Sequence, residues 1–389
     1  MKRLVPIEGL RAWLALWVVA SHVLEFSGFD YASNVGWVHA LLQQGPLAVN
    51  VFMIVSGFVI FNLLGGQRET CRQFLVRRFF RIYPLYILLF LLSIPAASLA
   101  HWALGHSHYL TPPTWWFEHN IHTAAARDWK VNIPAHLTLL HGLIPDAWHG
   151  GANTSRTWLD PAWSLSLEWQ FYFVAPLVFG IAASRNHVRQ LGLIGACLGL
   201  IALGPNAYWG TAFLPFNAGY FFVGAVSYFI YQRCERQGWL GAKRGEPILF
   251  VIIAATGLYI IGGATKPLIA LGLWIGFFAV LLENPSTLSA RVFWPWFNHP
   301  VAQFLGQISF SIYLSHELVI DLANLLLVKF LPSLGKLPHF WALLALTVTT
   351  TIMVSALLHR YVEIPGMNLG KSLAARWRAK PVVPAAAIT

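Results

Sequence analysis

The sequence predicts an all-α integral membrane protein with about 10 transmembrane helices in one bundle. Hydrophobic residues make up 57% of the 389 residues and charged residues only 11%, whereas soluble domains carry about 25% charged residues. Apolar stretches of roughly the 20 residues that cross a bilayer recur along the whole chain. The 18 tryptophans and 12 tyrosines suit the aromatic belts at membrane–water interfaces. We therefore interpret residues 1–389 as a single transmembrane domain.

Ten apolar segments are interpreted as spans. They cover residues 4–28, 45–64, 82–100, 161–183, 191–203, 213–231, 247–262, 267–282, 301–326 and 340–358. A further apolar segment, residues 133–144, is too short to span and is interpreted as a re-entrant or interfacial helix. Arg11 interrupts the first segment and no small-residue cleavage site follows it, so we expect a retained helix and not a signal peptide.

The basic residues predict the topology. Residues 67–81 hold five arginines, which places this loop in the cytoplasm under the positive-inside rule. Both termini then lie in the cytoplasm, residues 101–160 form an extracytoplasmic region, and residues 361–389 form a cytoplasmic tail. The net charge of +11 follows from this rule, so nucleic acid is not expected as a partner. The three cysteines are scattered without a CxxC pair, which argues against a disulfide framework.

A polar stripe follows one face of the first span. Arg11 and His22 are 11 positions apart, and at about 100° per residue they return to nearly the same helical face. Glu8 falls within about 40° of that face by the same arithmetic. Ionisable groups at membrane depth usually face a protein interior or a water-filled cavity. Alternatively, Arg11 reaches the lipid headgroups and His22 hydrogen-bonds a neighbouring helix.

The cytoplasmic start of the third span carries a second candidate site. Arg78 and Arg81 are three residues apart, close enough on a helix to hold one anion together. Guanidinium groups suit phosphate and stay charged, which favours a phosphorylated cytoplasmic ligand; binding to lipid headgroups is the alternative. In the second span, Ser56 and Gly57 form a small-residue pair, for which close helix packing is the alternative to a ligand contact.

Two further clusters interrupt apolar sequence. Trp163 and Ser164 open the fourth span, and Glu168 follows Ser164 by four residues, so the serine and the carboxylate share a face. A carboxylate at that depth either takes part in the chemistry or forms a structural ion pair with an arginine. His316 in the ninth span is a second histidine inside the bundle, for which simple packing is the plainer interpretation.

The ordered set of motifs resembles acyltransferase family 3, polytopic O-acyltransferases of bacterial surfaces and of antibiotic-modifying pathways. Each motif alone is modest, but six in the same order over nearly the whole chain are specific. The matches are IEGLRAWLALWVVASH (7–22) with LDGLRxxxxxxVxxxH, VFMIVSGFVI (51–60) with FFxxSGFxI, RFFRIYPLY (78–86) with RxxRIxPxY, WSLSLEWQFY (163–172) with WSLSVEEQFY, ISFSIYLSH (308–316) with ISYSLYLxH, and YVEIP (361–365) with YVExP.

Two departures from the family pattern bear on mechanism. Trp169 stands where the family has the second Glu of a Glu-Glu pair, while Glu168 is present. No extracytoplasmic hydrolase-like domain follows the last span in these 389 residues, so we do not expect the acyl group to be handed to such a domain. Direct transfer is expected over a covalent acyl-enzyme, because no Ser or Cys is clearly paired with the histidine.

The resemblance implies transfer of an acyl group, most often acetyl, from cytoplasmic acyl-CoA to a hydroxyl of a carbohydrate. The acceptor would be a surface polysaccharide, O-antigen or lipid-linked glycan, and the location the bacterial inner (cytoplasmic) membrane among its lipids. A small secreted metabolite is the other acceptor left open. No permanently bound cofactor is implied.

The residues are assigned to this reaction as follows. His22 is the general base, while Glu168 or Arg11 orients its imidazole or stabilises developing charge. Arg78 and Arg81 hold the phosphates of CoA, and we expect a polar passage through the bundle lined by Arg11, His22, Ser56, Glu168 and His316. The remaining assignments are Ser56 and Gly57 near the donor, and Trp163, Ser164 and His316 near the acceptor.

A polytopic transporter of a small polar or glycan-like substrate is the competing class, because buried His, Glu and Arg also build transport pathways. The sequence shows no pair of Gly/Pro-broken helices repeated between two halves, as such folds favour. A metal site is not expected: His106, His108, His119 and His122 lack carboxylate or Cys partners at ligand spacing.

Overall fold

The computed structural model describes residues 4–27, 42–66, 69–106, 128–145, 148, 154–203, 209–238, 240, 266–282 and 287–377. Every regular element in these ranges is helical and none is a strand, which confirms the predicted all-α class. The α-helices of the described residues are numbered here in chain order. They are α1 (Val5–Phe26), α2 (Gly45–Gly66), α3 (Cys71–His106), α4 (Trp129–Leu137), α5 (Ala162–Ala182), α6 (His187–Leu203), α7 (Leu214–Arg236), α8 (Lys266–Leu282), α9 (Leu288–Asn298), α10 (Pro300–Gln307), α11 (Ser309–Phe330), α12 (Lys336–Leu358) and α13 (Ile364–Ala375).

Six helical segments among the described residues are long and apolar enough to cross a membrane. They are Val5–Phe26, Gly45–Gly66, Cys71–Ala100, Ala162–Ala182, Ser309–Phe330 and Lys336–Ala375. These segments correspond to the first four predicted spans and the last two. The composition and length of the helices therefore support an integral membrane protein.

The predicted count of ten spans is not confirmed. Three more predicted spans are helical, as α6, α7 and α8, but they are not among the six described segments that are long and apolar enough to cross a membrane. The apolar part of α8 is the shorter Leu268–Leu282. The predicted span at residues 247–262 lies outside the described residues. Ten spans therefore remains a prediction.

Two boundaries differ from the sequence prediction. Helix α3 begins at Cys71, ahead of the predicted start at residue 82, because its arginine-rich first turns continue the helix and both Pro84 and Pro95 are accommodated inside it. The predicted ninth span is divided at Ile308 between α10 and α11. Just before that break, an added Cβ at Gly306 would overlap the backbone of Glu8, so α10 packs directly on α1.

The predicted re-entrant segment at residues 133–144 forms two short elements. Helix α4 ends at Leu137, and a 3₁₀ turn at His141–Leu143 follows. Between them Leu139 adopts a left-handed conformation with φ of 59°, which ends the helix. The segment is packed into the protein, since His136 and His141 are completely buried.

The two buried histidines stack on each other with ring centroids 4.1 Å apart. Nε2 of His136 lies 2.9 Å from the carbonyl of Thr154, and Nε2 of His141 lies 3.0 Å from the carbonyl of Ala162. Burial lowers the pKa of His141 to about 4. Burial, with the neighbouring His141 as a second cause, lowers the pKa of His136 well below its usual value. Both rings are therefore neutral near pH 7.

Small residues bring α2 and α7 into close contact within the hydrophobic core. An added Cβ at Gly57 would overlap the backbone oxygen of Phe221, and one at Gly224 would overlap that of Ile54. Close backbone approach is the usual role of small residues between membrane helices. Helix α1 packs on the other side of α2 and also contacts α9, α10, α11 and α12.

Replacing Gly57 with Ala is expected to lower the free energy of unfolding by about 1–3 kcal/mol, because the added methyl group has no space. The measurement is the melting temperature of the purified protein in detergent. Gly195→Ala in α6 is the matched control, since nothing lies within 4 Å of a Cβ at that position. An unchanged melting temperature for Gly57→Ala would contradict the close contact of α2 with α7.

Acidification is expected to destabilise the protein through His141. Below pH 6.5 the unfolded chain binds a proton that the folded His141, with its pKa of about 4, does not bind. The free energy of unfolding therefore falls as the pH decreases from 6.5 towards 4, by about 2 kcal/mol at pH 5 for this one group. Melting temperatures at pH 7 and pH 5 measure the loss. His141→Gln removes the titrating group and should lose less on acidification; an equal loss in both proteins would refute the assignment.

Candidate functional site

A cavity of about 280 Å³ lies between five of the spans. Helices α1, α2, α3, α5 and α11 supply nearly all of its walls, and Phe221 of α7 closes one side. Its charged lining is three arginines and two glutamates: Glu8, Arg11, Arg78, Arg81 and Glu168. The cavity therefore brings the polar stripe of the first span together with the arginine pair and the carboxylate of the fourth span.

Arg11 enters the cavity beside Glu8 of its own helix. The guanidinium Nη1 lies 3.5 Å from the Glu8 carboxylate, and both side chains are partly exposed to the cavity. The charge of Arg11 is thus balanced locally, from three residues earlier on the same face.

Glu168 accepts two hydrogen bonds at a single oxygen. The hydroxyl of Ser56 on α2 donates to Oε1 at 3.0 Å, and the hydroxyl of Tyr172 donates to the same oxygen at 2.5 Å. Tyr172 follows Glu168 by one helical turn, which puts both on the cavity face of α5. Glu168 is also close enough to act electrostatically on Arg78 and Arg81.

The two arginines of α3 are held in different ways. Arg78 lies over the rings of Phe74 and Tyr172, 5.7 and 5.8 Å from their centroids, and its buried Nε has no hydrogen-bond partner among the described residues. Arg81 places Nη1 4.0 Å from Glu363 of the π-helical turn His359–Glu363. Both guanidinium groups line the cavity, so the two can contact one anion.

One wall of the cavity is a contact between α5 and α11. The hydroxyl groups of Ser164 and Tyr313 lie 2.8 Å apart, and the ring of Phe52 packs against Tyr313 at 6.0 Å. All three side chains line the cavity. This Ser164–Tyr313 bond joins two motifs that are 149 residues apart in the chain.

His22 and His316 contact each other but do not line the cavity. Their ring centroids are 5.1 Å apart in an edge-to-face arrangement. Nδ1 of His316 lies 2.7 Å from the carbonyl oxygen of Tyr313, and the rings of these two residues are 6.0 Å apart. Tyr313 thus touches both the cavity and the histidine pair. The predicted stripe is divided accordingly: Arg11 faces the cavity, and His22 lies about 16 Å further along the same helix.

Two predicted site residues serve other contacts. Gly57 packs on the backbone of Phe221 and is not part of the cavity lining, whereas its neighbour Ser56 is. Trp163 lies under the guanidinium of Arg156, 5.9 Å from the ring centroid. Of the histidines considered for metal binding, His108, His119 and His122 lie outside the described residues.

An acidic environment surrounds Arg156, next to the histidine pair. Nη1 of Arg156 lies 3.4 Å from Oδ1 of Asp160. Asp160 first, and then Glu25 and Glu317, raise the pKa of Arg156 above its usual value. Arg156 also interacts electrostatically with His22, and Asp160 does so with His316.

Sequence reasoning missed several residues of this site. Tyr172 and Tyr313 were not assigned a role, although Tyr172 follows Glu168 by four residues and Tyr313 precedes His316 by three, so helical spacing could have indicated them. The YVExP motif was recognised without a role for Glu363. Nothing in the sequence pattern connects Glu363 to Arg81, because the two lie 282 positions apart.

Comparison with known proteins identifies the family of this chain. The family model described as an acyltransferase domain matches residues 5–359. The acyltransferase MdmB of Streptomyces mycarofaciens is 25% identical, over 94% of this chain and 92% of that protein. A putative O-acetyltransferase of Staphylococcus aureus, SAR0937, is 24% identical over 97% of this chain and 59% of its own length.

A third relative is the peptidoglycan O-acetyltransferase OatA of Listeria monocytogenes, 24% identical over 94% of this chain. The chain spans only 56% of that protein. No solved structure is significantly similar to the chain. Because the family model covers nearly the whole chain, and the relatives are named acyltransferases and O-acetyltransferases, the chain is an enzyme and belongs to the acyltransferase domain family.

Proposed function

We propose that this enzyme transfers an acyl group, in the first instance acetyl, from cytoplasmic acyl-CoA to a hydroxyl group of a carbohydrate. The observation that carries the proposal is the convergence of Arg78, Arg81 and Arg11 on one cavity within the membrane bundle of an acyltransferase. CoA is rich in phosphate, and guanidinium groups bind phosphate through paired N–H donors. The transporter alternative lacks a comparable reason for this arrangement.

The donor would enter from the side of the arginine pair. The positive-inside rule assigns the start of α3 to the cytoplasm, the compartment that contains CoA, and both termini to the same side of the cytoplasmic membrane. At about 280 Å³ the cavity is slightly smaller than ligand pockets of about 300–1,000 Å³. We therefore expect it to hold only part of the donor, with Arg78 and Arg81 on phosphate and Ser56 near the pantetheine arm.

The chemistry requires one proton to move. A hydroxyl oxygen of the acceptor attacks the thioester carbonyl carbon, and His22 takes the hydroxyl proton as general base. The C–S bond then breaks, the acyl group remains on the acceptor oxygen, and the proton passes from His22 to the CoA thiolate. His316, in ring contact with His22, would orient it, while Arg11 would stabilise negative charge on the part of the donor that stays in the cavity.

The Ser164–Tyr313 bond stands between the arginines and the histidines in this scheme. Tyr313 contacts the cavity on one side and His316 on the other. In this scheme Tyr313 swings away from Ser164 to let the thioester reach His22. Closing the bond again would separate the two polar zones between turnovers.

The acceptor would arrive from the opposite side, beside Trp163 and Arg156. A tryptophan face and a carboxylate-flanked arginine suit the apolar face and the hydroxyl groups of a sugar. The name of the Listeria relative, a peptidoglycan O-acetyltransferase, also favours a surface polysaccharide, O-antigen or lipid-linked glycan. Mass spectrometry of surface polysaccharide and of secreted metabolites, with and without the gene, would identify the acceptor.

His22→Ala is expected to reduce acyl transfer at least about 100-fold, the usual contribution of a general base. The acyl content of the acceptor, measured by mass spectrometry in cells that carry only the variant, tests this. His187→Ala is the control, because His187 is an exposed histidine at the start of α6. The His22→Ala protein should still accumulate in the membrane and bind CoA. Near-normal amounts of acylated product from His22→Ala would exclude His22 as the base.

Arg78→Ala and Arg81→Ala are each expected to raise KM for acyl-CoA about tenfold or more, with a smaller change in KM for the acceptor, because a charged hydrogen bond to phosphate is lost. Lys at either position should restore binding only in part, since it lacks the bidentate fork. Arg77→Ala is the matched control: Arg77 is paired with Glu69 at 2.7 Å and does not line the cavity. Unchanged affinity for acyl-CoA in both cavity variants would assign the pair to topology or lipid instead.

A further inference from the structure

The carboxylate of Glu363 lies behind the cavity, at the back of Arg81. Glu363 is 2% exposed and is not part of the cavity lining. Its two oxygens have different partners. Oε1 lies 4.0 Å from Nη1 of Arg81, whereas Oε2 accepts from the hydroxyl of Ser311 at 3.1 Å and lies 2.8 Å from Nδ1 of His359. Ser311 and His359 thus hold Oε2 of Glu363, and Oε1 faces Arg81.

The backbone around Glu363 is shaped to bring it there. Residues His359–Glu363 form a π-helical turn between α12 and α13. Such turns are rare in proteins, and those that occur are often found at functional sites. Beyond it α13 lies against α3: a Cβ at Gly366 would come within 2.8 Å of the Phe80 carbonyl oxygen, and one at Gly370 within 2.6 Å of Phe80 Cβ. Only glycine allows the two helices to approach this closely.

The contact with Glu363 restrains one end of the Arg81 side chain. Nη1 of Arg81 points to Glu363 and also to the sulfur of Met367 at 3.4 Å. A guanidinium group carries five N–H donors in a planar fork, so donors remain for the cavity that Arg81 lines. An arginine side chain otherwise samples many rotamers. Because the contact with Glu363 already restricts the rotamers of Arg81, less conformational entropy is lost when an anion binds.

We propose that Glu363 is a positioning residue for the donor site: it holds Arg81 with its free edge towards the cavity, ready to bind a phosphate group. This inference rests on the proposed function, which assigns the phosphate of acyl-CoA to Arg78 and Arg81. It gives the YVExP motif, which sequence reasoning left without a role, a task in substrate binding. Glu363 itself does not touch the ligand.

The direction in which anion affinity changes when the Glu363 carboxylate is removed distinguishes a positioning role from charge balance. If Glu363 only offset the charge of Arg81, removing the carboxylate would leave the cavity more positive, and Coulomb attraction would strengthen anion binding. If Glu363 positions Arg81, the same change frees the guanidinium and weakens anion binding. The two roles therefore predict opposite changes in affinity.

The test is the affinity of the purified full chain in detergent for CoA itself, measured by titration calorimetry. Glu363→Gln keeps the shape of the side chain and removes its charge; we expect its Kd for CoA to rise about tenfold, within the range for losing a charged contact. Glu69→Gln is the matched control. It breaks the 2.7 Å ion pair between Glu69 and Arg77, and Arg77 lies on α3 like Arg81 but does not line the cavity. The control should keep the affinity of the unaltered protein.

Arg81→Ala and the double variant Arg81→Ala/Glu363→Gln complete a cycle. If Glu363 acts through Arg81, Glu363→Gln has no further effect once Arg81 is gone. Unchanged or tighter CoA binding by Glu363→Gln alone, with weaker binding by Arg81→Ala, would overturn the positioning role and leave the proposed function standing. Unchanged binding by Arg81→Ala would overturn the donor site itself.

Ser311→Ala covers the case in which Glu363→Gln does not fold. It removes one of the two groups that fix Oε2 of Glu363 and leaves the charge in place. We expect the Kd for CoA to rise in the same direction and by a smaller factor. If Ser311→Ala folds and binds CoA like the unaltered protein, the positioning role is refuted.

Discussion

The pairing of arginines inside the bundle with carboxylates is the constraint on which this structure depends. An ionised group inside a membrane bundle costs several kcal/mol unless it finds a partner or water. Arg11 pairs with Glu8 on its own helix, whereas Arg81 pairs with Glu363, which comes from the far end of the chain. Glu168 lies near both arginines of α3. The need to neutralise the cations of α3 therefore favours the placement of α5 and the C-terminal helices beside it.

The same pairing sets the electrostatic character of the cavity. Its lining holds three arginines and two glutamates, so the difference is one positive charge when all five are ionised. A site with three unopposed arginines would retain a polyanion strongly. Under the proposed function, a site whose positive charge is largely offset by its own carboxylates would bind the acyl-CoA donor and also release CoA after each turnover.

Tyr313 connects two polar zones of the bundle. Among the described residues it lines the cavity and also contacts His316 of the His22–His316 pair, and its hydroxyl is bonded to Ser164. Phe52 packs against the ring of Tyr313. The Ser164–Tyr313 contact joins residues of two motifs, WSLSLEWQFY and ISFSIYLSH. Those motifs are therefore connected by a direct contact as well as by their order in the chain.

The sequence by itself determined the class of the protein and much of the cavity. The repeated apolar segments indicate spans, because a helix of about 20 apolar residues matches the thickness of the bilayer. Helical periodicity then assigns Ser164 and Glu168 to one face of α5, and Arg78 and Arg81 to one face of α3, without knowledge of the neighbouring helices. These residues do meet around one cavity, since local geometry decides which face of a helix is polar.

Only the tertiary structure decided which faces meet. Periodicity gives an angle around one helix axis and says nothing about the helix opposite. It therefore placed Arg11 and His22 on one face of α1, about 16 Å apart along the axis. Packing decided what each meets: Arg11 lines the cavity and His22 contacts His316, while Gly57 packs on the backbone of Phe221. Likewise, Glu363 meets Arg81 across 282 positions of sequence because a π-helical turn and two glycines carry α13 back onto α3. Contacts of that range depend on how whole helices pack, which no local pattern encodes.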